Sequence, residues 1–133
     1  MILGLPWLAV NAAFALHVLD EATSDFLAWY NPRALAIRRA LGGFPFPPTF
    51  TFGPWLLGLI VAVIVLFAMT PAAFRGDPWL RSVAVVVGVI QAGNGLLHLG
   101  AALVARRRVP GLWSAPILLG TAAWLLFTLA RPR

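Results

Sequence analysis

Four apolar runs dominate this chain, each near or above the roughly 20 residues that a helix needs to cross the hydrocarbon of a bilayer. Their approximate limits are residues 2–30, 54–73, 79–105 and 110–130. A water-soluble core has no use for so much continuous apolar helix. Composition agrees, with 61% of residues hydrophobic and 11% charged, where soluble domains carry about 25% charged residues. The expected architecture is all-α: one integral membrane domain over residues 1–133, built as an up-down-up-down bundle of about four transmembrane helices. The links at residues 74–78 and 106–109 are short, which makes the helices they join antiparallel neighbours.

The ten basic residues are all Arg, set against Asp20, Glu21, Asp25 and Asp77. Beside apolar spans they read as interfacial anchors that meet anionic headgroups, so the expected partners are membrane lipids and a lipophilic small molecule, with no nucleic acid. Homo-oligomers are compatible with so small a bundle. Arg33, Arg38, Arg39 and Arg106 to Arg108 fall on one side, and Arg75, Arg81, Arg131 and Arg133 on the other. The richer side is expected to be cytoplasmic, which puts both termini outside. The preference for Arg and Ala over Lys suits a GC-rich bacterial genome and hence a bacterial inner membrane. Ala13-Phe14-Ala15 imitates a leader cleavage site, but no basic stretch precedes it, so the first run is read as a retained helix. With no Cys, thiolate metal sites and thiol redox chemistry are excluded.

Residues 31–52 differ in kind. Their first half alternates Arg with apolar residues at near-helical spacing, as in a helix lying in the interface plane. Their second half, Gly42-Gly43-Phe44-Pro45-Phe46-Pro47-Pro48, cannot continue a helix because proline removes donors and obstructs the preceding turn. An interfacial connector or lid is expected there.

The candidate site is a polar cluster inside this apolar background. Trp7 and Trp29-Tyr30 stand about 22 residues apart, roughly 33 Å of helix, which matches two membrane interfaces and sets His17, Asp20 and Glu21 near the centre. Their i, i+3, i+4 spacing projects them from one face, and ionisable groups at that depth are costly unless they pair or bind. The third helix carries a second polar stripe, Gln91, Asn94 and His98, at a comparable depth. Two such stripes are expected to meet.

The residues His17-Val18-Leu19-Asp20-Glu21, with Phe26, Trp29-Tyr30-Asn31-Pro32, then Asn94-Gly95-Leu96-Leu97-His98 and Pro110-Gly111, resemble the HXXEE-domain family of small bacterial membrane proteins. Asp20 stands where that family has its first Glu. The resemblance implies the membrane topology and the site more than any particular reaction.

Three functional readings follow. In the first, His17, Glu21 and His98 bind one divalent metal ion, Zn or Fe, with Asp20 as a further ligand or base and Asn94 or Gln91 as orienting or substrate-binding groups. In the second, Asp20, Glu21 and His98 perform metal-free acid–base catalysis, such as isomerisation or cyclisation of a sterol, isoprenoid or lipid. In the third, the chain is a non-catalytic carrier or assembly protein whose polar stripes lock helices together. An enzyme is favoured over the third.

Overall fold

The computed structural model describes residues 3–131, and α-helix is the regular secondary structure found among them. Its helices are α1 (Gly4–Thr23), α2 (Phe26–Ala40), α3 (Phe52–Ala68), α4 (Thr70–Arg75), α5 (Leu80–Ala105) and α6 (Ala115–Ala130). Helix α1 packs on α3, α4 and α6, and α5 packs along α6. Two helical stretches are long and apolar enough to cross a membrane: Phe52–Arg75, of 24 residues, and Leu80–Ala105, of 26. Helix α6 is apolar but only 16 residues long.

The single helix expected over residues 2–30 is divided. The Thr23 hydroxyl turns back to the carbonyls of Leu19 and Asp20, that of Ser24 to Asp20, and Asp25 adopts the left-handed region with φ +55°. A left-handed residue cannot propagate a right-handed helix, so α1 ends there and α2 starts afresh. Trp7 and Trp29 therefore do not mark the ends of one rod. The cluster occupies the last two turns of α1.

The span expected over residues 54–73 is likewise interrupted, at Met69, just ahead of Pro71 in the first turn of α4. The last helix begins at Ala115 instead of Pro110 because Val109 to Ser114 form successive turns, with Gly111 at φ +78° and Pro116 in the first turn of α6. Residues 41–51, the proline-rich connector, contain no helix.

Packing concentrates at one end of the bundle. There Leu3, Trp7 and Val10 of the α1 end meet Ala72 and Ala73 of α4, Leu80 and Ala84 of α5, and Ala122, Leu125 and Leu129 of α6. Small residues let the backbones approach at the other end too, where Gly95 of α5 lies so close to α6 that an added Cβ would stand 3.0 Å from the Ala115 carbonyl oxygen. A second group, Ala13, Phe14, Val18 and Leu118, continues the core along α1 toward α3. The polar cluster lies beyond it.

Candidate metal centre

His17 and Glu21 are one turn apart on α1, and His98 reaches them from α5. All three are buried, at 0%, 6% and 4% exposure. His98 Nε2 lies 3.0 Å from Glu21 Oε1, and His17 Nε2 lies 3.5 Å from the same oxygen. The two imidazoles meet edge to face, with centroids 4.7 Å apart. One donor atom from each residue lies within 4.8 Å of the others.

The outer ring nitrogens fix which inner ones carry protons. His98 Nδ1 is 2.7 Å from the Pro110 carbonyl, which can only accept, so this nitrogen donates. His17 Nδ1 is 2.7 Å from Ser114 Oγ, whose own proton goes to Asp20 Oδ2 at 2.8 Å. That hydroxyl therefore accepts from His17 Nδ1. In the neutral imidazoles both Nε2 atoms then carry lone pairs. His17 Nε2 is buried with no hydrogen-bond partner. Three electron-rich atoms thus converge, an arrangement that needs a cation or a proton between them.

This group could hold a metal ion. Tetrahedral zinc with bonds of about 2.0–2.1 Å sets neighbouring ligand atoms about 3.3 Å apart, between the 3.0 and 3.5 Å observed here. Ligating histidines characteristically donate their second nitrogen to a carbonyl or carboxylate. His98 does so to Pro110, and His17 does so through Ser114 to Asp20.

Asp20 does not join the converging atoms. One hundred degrees around the helix from Glu21, it accepts from the Ser114 amide at 3.0 Å and from the Ser114 hydroxyl. The carboxylate anchors the turn that opens α6, and Ser114 also lies 3.3 Å from the Gly111 carbonyl. Gly111 is positioned against both imidazoles: a Cβ there would stand 2.6 Å from His98 Cε1 and 3.0 Å from His17 Cε1. Positive φ and this close approach both require glycine.

The amides of the α5 stripe are not bonded to the histidines. Asn94, one turn before His98, lines a cleft beside it. Gln91 is buried nearly two turns away, and its Oε1 has no partner. Sequence reasoning passed over Ser114 and the Pro110 carbonyl; a backbone acceptor and a lone serine after an arginine-rich turn carry no recognisable spacing. It also assigned no site role to the aromatic residues. Phe26 and Trp29 of α2 lie 5.8 and 6.4 Å from the His98 ring, and Phe26 stacks on Trp55 of α3.

Residues 7–125 match the family described as proteins of unknown function with an HXXEE motif. The chain belongs to the HXXEE family. The HXXEE motif here reads His17-x-x-Asp20-Glu21, and its outer members are the two that face His98. The variant position, Asp20, is the one turned to Ser114. No curated protein and no solved structure matches the chain.

Proposed function

We propose that this HXXEE protein is an integral membrane enzyme that binds one divalent metal ion through His17, Glu21 and His98 and acts on a lipophilic substrate. The observation that carries the reading is the convergence of two lone-pair-bearing Nε2 atoms and a carboxylate, with both outer nitrogens already committed to acceptors. Three protein ligands leave a position open, the pattern of catalytic rather than structural zinc. Such an ion supplies Lewis acidity and lowers the pKa of water, suiting hydrolysis; iron with the same two-histidine, one-carboxylate set suits oxidation. Ser114 and Asp20 hold the His17 ring, Pro110 holds the His98 ring, and Phe26 and Trp29 set an aromatic wall beside His98 on the α2 side.

Membrane insertion is supported by the two long apolar stretches, the first of which has only 11% of its apolar window buried against the rest of the chain. On this reading the metal centre lies toward the side bearing Arg33, Arg38, Arg39 and Arg106 to Arg108, which the positive-inside rule makes cytoplasmic.

A second reading draws on one distance. At 3.0 Å, Glu21 and His98 are also spaced to share a proton, so the pair can serve as acid and base without a metal, for example in isomerising an isoprenoid. Metal content of the purified protein in detergent decides between them. Stoichiometric zinc or iron in the wild type, lost in His17→Ala and His98→Ala variants that remain folded, is the expected result. A wild type that stays metal-free after incubation with either ion would overturn it and leave the proton-sharing pair.

A further inference from the structure

The cleft beside His98 has a volume of about 350 Å³, within the range of small-molecule sites. Phe26, Trp29, Tyr30 and Ile37 of α2 form one wall and Leu97, His98 and Ala101 of α5 the other, with Pro47 of the connector at its edge. The walls are almost wholly apolar and aromatic, which suits a hydrocarbon body. Their one full charge is Arg33.

Arg33 is unusual among the cleft residues. Its guanidinium lies 4.4 Å from the centroid of the Trp29 ring, and one Nη donates to the Trp29 carbonyl. Of five N–H donors, the others have no carboxylate: Glu21 faces the histidines, Asp20 faces Ser114, Asp77 pairs with Arg75, and no described acid pairs with Arg33. A cation fixed against an aromatic wall with its fork unfilled is a seat for an oxoanion. The guanidinium folds back over the Trp29 ring, and that ring in turn lies with its centroid 6.4 Å from that of His98. A head held by Arg33 therefore leaves its apolar chain against the imidazole.

We infer that this cleft binds a single-chain amphiphile, with its oxoanion head on Arg33 and its hydrocarbon body between α2 and α5 against His98. The inference deepens the proposed function by naming its substrate class, and it rests on His98 belonging to the reacting centre. Anionic membrane phospholipid shares the head-group chemistry, so the test separates the two sources.

The test uses the whole protein in nanodiscs of zwitterionic phosphatidylcholine, with 9,10-dibromostearate and 9,10-dibromostearyl alcohol as quenchers of tryptophan fluorescence. Trp29 is the reporter, and its contribution is identified by Trp29→Phe. Saturable quenching by the acid is expected at a concentration at least about tenfold below that for the alcohol, the preference that one charge-assisted hydrogen bond confers. Arg33→Gln, at an exposed position, is expected to bring the two within about twofold of each other. Ala101→Phe, which fills the cleft, is expected to remove saturable quenching by both.

Equal, non-saturating quenching by acid and alcohol would mean bulk partition and would overturn the inference. Relief of quenching when phosphatidylglycerol replaces part of the bilayer would assign the cleft to membrane lipid and overturn it as well. Repeating the titration on chelator-treated protein keeps this inference separate from the metal reading. The acid preference is expected to survive chelation, and it stands or falls whether or not metal analysis finds an ion.

Discussion

The two ends of the α1, α5 and α6 bundle are held by different physics. At one end Trp7, Val10, Ala73, Leu80, Ala84, Ala122 and Leu125 are buried almost completely, and cohesion comes from close packing of small and large apolar groups. At the other end His17, Glu21, His98, Asp20 and Ser114 meet through a few short polar contacts, and with both imidazoles neutral the converging lone pairs oppose one another. The apolar end sets the helix spacing. That spacing obliges the polar end to hold atoms that repel unless something cationic sits among them. Stability and binding should therefore separate by position along the same helices.

The largest effect is expected from Trp7→Ala. It deletes a fully buried side chain and also takes a donor from the Leu66 carbonyl, which the Trp7 indole reaches at 3.2 Å. A loss of about 3–5 kcal/mol is expected in detergent-solubilised unfolding; a small loss would mean that the apolar end does not set the spacing.

Glu21→Gln preserves volume at the opposite end while removing the carboxylate charge. Zinc affinity, read by competition with a chromophoric chelator, is expected to fall by more than about 100-fold, beyond the usual effect of an outer-shell change. Retained affinity would show that Glu21 is not a ligand.

Gly111→Ala joins the two comparisons, because the new Cβ meets both imidazoles and φ is +78°. A cost of about 1–3 kcal/mol is expected from the backbone alone, together with weakened metal binding. Normal affinity in a destabilised protein would locate the strain in the turn only.

Ser114→Ala breaks the His17–Ser114–Asp20 chain without touching a proposed ligand. An approximately 10–100-fold drop in zinc affinity is expected, and an unchanged value would argue that the ring is held by packing against Gly111. Smallest of all should be Ile64→Ala on the open face of α3, where the side chain is 61% exposed. Unfolding in detergent is expected to shift by less than about 0.5 kcal/mol; a larger shift would reveal a covering partner.

Much of this division was legible in the sequence, and the gaps have physical causes. The i, i+4 spacing of His17 and Glu21 put both on one face, and helical rise set the α5 stripe at their level, although depth alone matched Glu21 to Asn94 where the structure sets His98, one turn further on, against it. The limits of α5 were read within a residue because Trp79 and the arginines at 106–108 bracket an uninterrupted apolar run. The break after Thr23 was missed because Trp29 and Tyr30 fell at a plausible membrane distance, while the signal that ends α1 lies in hydroxyl groups bonding to their own helix. Asp20 was grouped with Glu21 on spacing alone. Which neighbour takes a carboxylate depends on where α6 begins, and that depends on the left-handed glycine at 111.

The side chain of Asn31 pairs with Phe50 as one strand pairs with another: its amide nitrogen donates to the Phe50 carbonyl at 2.9 Å, and its oxygen accepts from the Phe50 amide at 3.1 Å. Tyr30 adds a bond to the Pro48 carbonyl. A loop riveted to a helix at these points behaves as part of that helix's body. Pro47, which stands at the edge of the cleft beside His98, is thereby placed by the register of Tyr30 and Asn31 on α2 and not by the connector's own backbone.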